Sequence, residues 1–134
     1  MTDKALLYKI TACIHEVHKT LGPGLLESIY EHALMYEFKQ IGLKAENQKH
    51  VPVIYKGVDL MPGDNLKLDI IVEDRIIIEL KSVEKFDKVH FKQLETYLRL
   101  MNLYQGILVN FNCKFIDKEN YRTIYNSALR PKDD

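Results

Sequence analysis

The 134-residue chain has little of what marks several functional classes. It has no excess charge: nineteen lysines and arginines balance nineteen aspartates and glutamates, a formal net charge of +0. That excludes a polycationic coat for nucleic acid, so any anionic partner has to be met locally. Its longest apolar run, Asp69 to Leu80, has charges inside it and falls well short of the roughly 18 to 20 uninterrupted apolar residues of a membrane span. A soluble protein with no membrane partner is expected. The opening MTDKALLYKI is charged from its third residue and has no basic leader, apolar core or small-residue cleavage site, so secretion is not expected. Two cysteines, Cys13 and Cys113, make neither a disulfide framework nor a Cys-x-x-Cys knuckle and read as reduced thiols of a cytoplasmic protein. A glycine-rich phosphate loop and a Gly-x-Ser-x-Gly elbow are also missing, which argues against nucleoside-triphosphate hydrolysis and serine-hydrolase chemistry. Repeats, low-complexity stretches and linkers are absent, and 46% of the residues are hydrophobic, so residues 1–134 are expected to form a single domain.

The elements that are present follow from apolar periodicity. Leu6, Leu7, Ile10, Cys13, Ile14, Val17 and Leu21 recur at helical intervals and predict a helix from Asp3 to Leu21. Gly22-Pro23-Gly24 stops it, and a second helix carrying Leu25, Leu26, Ile29, Ala33, Leu34 and Phe38 ends near Gly42. Alternation at Val51, Val53 and Tyr55 then predicts a strand, kept to a sheet edge by Pro52. The turn-rich MPGDN at Met61 to Asn65 leads into LKLDIIV and RIIIELK, which read as a β-hairpin. A third helix is expected over roughly Phe86 to Met101 and a buried strand over Gln105 to Phe111, while Tyr121 to Tyr125 fits either a strand or a helical turn. The order α-α-β-β-β-α-β places the chain in the α/β or α+β class, with a mixed sheet flanked by helices.

Three charged residues interrupt the hairpin's apolar runs: Asp69, Glu79 and Lys81. A three-residue loop at Glu73, Asp74 and Arg75 pairs Val72 with Ile76 and sets Asp69 opposite Glu79; a two-residue loop would instead set Asp69 opposite Ile78. With the first register, Ile70, Val72, Ile76, Ile78 and Leu80 share a core face, and Asp69, Glu79 and Lys81 form a charged cluster on the other. Two facing carboxylates about 5 Å apart at the backbone repel each other unless a cation bridges them, and hard oxygen ligands suit Mg²⁺ or Mn²⁺. A lysine two residues on could hold a water near the metal and offset charge developing on a phosphate, as metal-assisted phosphodiester hydrolysis requires. The plainer alternative is the solvated face of an ordinary one-sided hairpin.

Asp69, followed after nine residues by Glu79-Leu80-Lys81, resembles the PD-(D/E)XK nuclease superfamily. The stretch Gly24-Leu25-Leu26-Glu27-Ser28-Ile29-Tyr30, with EVHKTLGPG before it and LDIIVEDRIIIELKSVEK, QLETYLRL and GILVNFN after it, resembles the GxxExxY protein family, a bacterial and archaeal branch of that superfamily. The resemblance extends roughly from Ile10 to Asn112. It implies a restriction-endonuclease-like core, with Asp69 and Glu79 as metal ligands, Lys81 as catalytic lysine and Glu27 as a further acidic ligand from the preceding helix. Gln93 and Tyr97 match a Gln-x-x-x-Tyr helix motif that lies beside the site in related nucleases. Leu68 stands where the superfamily's name has proline, at a position that supplies no ligand.

Several of these residues also have structural readings. Glu27, three residues after a capping Gly24, would sit in a helix first turn where exposed amides favour a carboxylate. Tyr30 is expected to fill the core, with packing beneath the site as the alternative, and Gln93 and Tyr97 are also read as partly buried polar residues with satisfied hydrogen bonds. Lys85, Lys88, Lys92 and Arg99 fall on one side of the third helix, away from Gln93 and Tyr97, and are read as a solvated face. His15 and His18, at i and i+3, lack a third ligand. The functional expectation is a Mg²⁺- or Mn²⁺-dependent nuclease acting on DNA or RNA, with a homodimer as one way to enlarge its contact surface. The alternatives are a non-catalytic module that binds nucleic acid or protein, and a hydrolase of small phosphorylated molecules.

Overall fold

Thr2 opens the first element: its hydroxyl accepts a hydrogen bond from Ala5 N at 3.0 Å and caps α1, Asp3–Leu21. The computed structural model describes residues 1–63 and 66–129. Helix α1 has the expected bounds and ends where Gly22, at φ 71°, returns its N–H to His18 O. Helix α2, Glu27–Gln40, begins later than a cap at Gly24 predicts; its N-cap is Leu26, which contributes no side-chain hydrogen bond. The connection is held by Tyr30, whose hydroxyl donates to Gly22 O at 2.6 Å and accepts from Leu25 N at 3.1 Å.

The first sheet strand, β1, is Ala45–His50, upstream of the expected alternation at Val51 to Tyr55. Pro52 has no N–H for a ladder, and the chain instead forms a separate two-stranded ribbon, β2 Ile54–Tyr55 and β3 Val58–Asp59. It turns at Lys56 and Gly57, whose φ values of 49° and 83° are those of a type I′ hairpin. Of the MPGDN turn, Asp64 and Asn65 lie outside the described residues.

The hairpin β4 Lys67–Val72 and β5 Ile76–Lys81 has the three-residue loop, with Val72 opposite Ile76 and Ile70 opposite Ile78. Helix α3, Lys88–Met101, starts two residues after Phe86 because Asp87 accepts from Val89 N while His90 Nδ1 accepts from Asp87 N. It returns the chain to β6, Gln105–Asn110, which runs parallel to β5 as expected. Tyr121–Tyr125 is a strand, β7, antiparallel to β6. The sheet order is β1-β4-β5-β6-β7.

Both faces of the sheet are covered. Leu6, Ile10 and Ile14 of α1 and Tyr30, Leu34 and Phe38 of α2 pack with Ile70, Val72, Ile76, Ile78 and Leu80 on one face. On the other, Leu94, Tyr97 and Leu98 of α3 pack with Ile71, Ile77 and Leu108. The hairpin's second face carries the charged residues Asp69, Glu79 and Lys81 at its open end, while Ile71 and Ile77 nearer the turn are apolar and packed with α3. Gly106 permits this close approach, since a Cβ there would lie 2.9 Å from Ile77 O and from Leu94 Cδ1.

Registers fix which loops meet. His50 pairs with Lys67, Lys81 with Asn110 and Val109 with Tyr121, so segments 51–66, 82–87 and 111–120 all leave the sheet at one end. Asp69, Glu79 and Lys81 lie at that end.

Candidate active site

The β4–β5 ladder stops at Ile70 and Ile78, and one step further Asp69 and Glu79 replace it with their side chains. Asp69 N donates to Glu79 Oε1 at 3.1 Å, and Leu80 N donates to Asp69 Oδ2 at 2.9 Å. The β1–β4 ladder skips the same level, running from Asn47–Ile70 to Lys49–Leu68. There Gln48 adopts φ 50°, a left-handed conformation unusual for a residue with a side chain. Its carboxamide donates to Glu31 Oε1 at 2.7 Å and lies 3.4 Å from Asp69 Oδ1, and Asn47 Nδ2 donates to Glu31 Oε2 at 3.0 Å. Glu31, Gln48, Asp69 and Glu79 thus form one polar chain across four elements.

The electrostatics are those of a buried carboxyl, Glu79, beside a half-buried one, Asp69. Glu79 is only 3% exposed, and burial first, then the charge of Asp69, pushes its carboxyl well above the ordinary value of 4.5. Lys81, half-buried at the end of β5, acts in the opposite direction but with less effect. Neither carboxylate has an ion-pair partner among the described residues. Burial and then the charge of Glu79 raise the Tyr97 phenol, and Gln93 Nε2 donates to that phenol at 3.1 Å. Gln93 and Tyr97 therefore stand together on the helix that covers the acidic face.

Glu27 is placed differently. It is exposed at the first position of α2, and its Oε2 accepts from Ser82 N at 3.2 Å, while Ser82 Oγ donates to Leu25 O at 2.7 Å. It is thus tied to the residue after Lys81. Among the described residues no group of three or more His, Cys, Asp or Glu is arranged to hold a metal ion. The Asp69–Glu79 pair still fits a hard divalent cation. Each carboxylate gives one oxygen to a backbone amide and keeps lone pairs on the other, and Lys81 offsets the buried charge less than burial and Asp69 oppose it. Tyr30 is core: fully buried, stacked on Phe111 with ring centroids 4.4 Å apart, and bonded to the loop that leads to Glu27.

Sequence reasoning missed Glu31, Gln48 and Asn47. Glu31 carried a readable signal, a carboxylate on the stripe of Glu27, Tyr30, Leu34 and Phe38, and it is 7% exposed. Gln48 carried none, because a left-handed glutamine has no sequence signature. His18 bonds Cys113 O at 2.7 Å, a structural contact.

A mixed sheet flanked by helices, with facing acids on a hairpin and a lysine two residues beyond the second, defines a protein with a restriction-endonuclease-like fold. The sequence profile of the PD-(D/E)XK nuclease superfamily matches residues 4–124, and the chain belongs to that superfamily. Comparison with curated proteins and with solved structures gave no significant match. PD-(D/E)XK nucleases generally use divalent metal ions.

Proposed function

We propose that the protein is a metal-dependent nuclease that hydrolyses phosphodiester bonds of DNA or RNA, within the GxxExxY branch of its superfamily. The observation that carries this reading is the reciprocal Asp69–Glu79 pair, with Glu79 buried and Asp69 half-buried, where both neighbouring ladders give way.

Asp69 and Glu79 hold Mg²⁺ or Mn²⁺, with Glu27 and the Glu31–Gln48 pair extending the acidic surface beside them. The ion, when bound, supplies Lewis-acid stabilisation of the phosphoryl oxygens. Lys81 orients the attacking water and offers an ammonium to the charge that grows on the phosphate. Gln93, steadied by Tyr97, donates an amide toward the same space, and Tyr30 fixes the loop that positions Glu27. Neutral net charge predicts a modest, salt-sensitive hold on nucleic acid, and no observation supports the homodimer expected to enlarge it. No helix among the described residues is long and apolar enough to cross a membrane, and both cysteines are free, which fits a cytoplasmic role.

Calorimetric titration of Mg²⁺ and Mn²⁺ into wild type and Asp69→Ala, with cleavage of single- and double-stranded DNA and RNA read on the same samples, tests this. Metal binding and cleavage by wild type, both lost in the variant, are expected. Absence of divalent-ion binding with and without nucleic acid overturns the reading. Metal-independent nucleic-acid binding that survives Asp69→Ala, with no cleavage by wild type in Mg²⁺ or Mn²⁺, points instead to a non-catalytic module.

A further inference from the structure

Two of the segments that leave the active-site end of the sheet each carry an exposed aromatic ring with a lysine over it. On the β2–β3 ribbon, Tyr55 is 57% exposed and Lys56 Nζ lies 5.4 Å from its ring centroid. Between β6 and β7, Phe115 is 71% exposed and Lys114 Nζ lies 5.6 Å from its centroid. Each ring projects from anchored backbone. Tyr55 is paired across the ribbon with Val58 beside the tight Lys56-Gly57 turn. The loop below Phe115 is tied by His18 to Cys113 O and by Asn112 Nδ2 to Val83 O. The pieces come from segments 51–66 and 111–120, on opposite sides of the strands bearing Asp69, Glu79 and Lys81.

We propose that these two lysine–aromatic pairs form a grip for unpaired bases on either side of the acidic pair, with Tyr55 and Phe115 stacking on bases and Lys56 and Lys114 meeting phosphates. This rests on the nuclease reading for where the substrate lies, and it names the substrate class as single-stranded nucleic acid or the unpaired end of a duplex. A flat ring stacks only on a base whose face is free, so the device selects against paired strands. An ammonium beside each ring is placed for the phosphate that follows a stacked base, which supplies a locally cationic contact in a chain of zero net charge. The ribbon's other exposed apolar residues on this face, Val58 and Leu60, widen the surface beside Tyr55.

Fluorescence anisotropy with a short labelled oligothymidine and a matched duplex, in EDTA so that no metal-dependent cleavage intervenes, reads this directly. Tyr55→Ala and Phe115→Ala are each expected to weaken single-strand binding by about tenfold and to leave duplex binding unchanged, while Tyr55→Phe and Phe115→Tyr retain it. Lys56→Ala and Lys114→Ala are each expected to lower the slope of log affinity against log salt by roughly 0.7. Alanine variants that bind the single strand as wild type does, or that lose both probes equally, overturn the inference. So does a wild type that binds neither. Cleavage with Mg²⁺ on the same samples separates the two readings. Ring-dependent binding without cleavage keeps the grip and overturns the hydrolase, and cleavage with ring-independent binding does the reverse.

Discussion

Ile77 and Glu79 stand two residues apart on one strand and one face of the sheet, and both are almost fully buried, 0% and 3% exposed. Ile77 packs in the cluster with Leu94, Leu98 and Leu108, and its surroundings replace water with matched apolar surface. Glu79 has Asp69, a like charge, and a backbone amide. The turn end is pinned further by Arg75, which donates to Asp3 Oδ1 at 2.9 Å and to Met1 O at 2.8 Å. One hairpin thus divides its labour: the turn end stabilises the fold, and the open end holds a like-charged arrangement whose burial costs stability.

The sharpest way to break that comparison is to alter each end in turn. Asp69→Asn keeps the shape but removes a carboxylate from the pair, so cleavage is expected to fall by roughly a thousandfold or more, the equivalent of several kcal/mol of lost charge stabilisation. Its thermal midpoint should not fall, which a steady-state assay and a melt on one preparation would show. At the other end, Ile77→Ala empties volume between the sheet and α3 and is expected to destabilise by about 2–5 kcal/mol in urea unfolding. Cleavage per folded molecule should change little. A variant at Ile77 that loses activity while staying folded would show that the two ends are not separable.

The sequence legibility of the two ends differs for the same physical reason. The turn end was readable as a hairpin because of the apolar alternation in Ile70, Val72, Ile76 and Ile78, but its register stayed open between a two- and a three-residue loop and the fold takes the three-residue one, and α1 was readable because seven apolar residues recur on one stripe. The facing of Asp69 and Glu79 followed from that register. What surrounds them did not. β1 has the polar sequence AENQKH, since an edge strand whose side chains serve Glu31 and solvent shows no apolar period, and the alternation at Val51 to Tyr55 drew the expected strand downstream. The delayed start of α2 was illegible because Leu26 supplies no cap and the loop is held instead by the hydroxyl of Tyr30, a contact made only in the folded chain.

Acidity provides a finer contrast. Because burial and Asp69 raise the Glu79 carboxyl in the folded chain, the folded state binds more protons than the unfolded one above about pH 4.5. Metal-free stability therefore falls as pH rises from 4.5 toward the raised folded value, the reverse of an ordinary salt-bridged carboxylate. Glu79→Gln removes the titration, so the variant is expected to melt roughly 3–6 °C above wild type at pH 7 in EDTA, the shift about 1 kcal/mol produces in a chain of this size. The gain should shrink toward pH 5. An equal difference at both pH values would show that packing, not charge, separates the two.

The smallest expected effect tests the backbone beside Asp69. In an ordinary strand, glycine is worse than alanine by about 0.5–1 kcal/mol because it loses more conformational freedom on folding. At φ 50° the order reverses, since a Cβ is strained in the left-handed region and glycine is not. Gln48→Gly is therefore expected to be more stable than Gln48→Ala by about 1 kcal/mol in urea unfolding, although both lose the amide that joins Glu31 to Asp69. If alanine is the better residue, Gln48 is an extended strand position and the interruption opposite Asp69 is not built into β1. If glycine is better and both variants bind Mg²⁺ more weakly than wild type, the strain and the amide act on the same carboxylate: the first frees Asp69 from the ladder, and the second aims it.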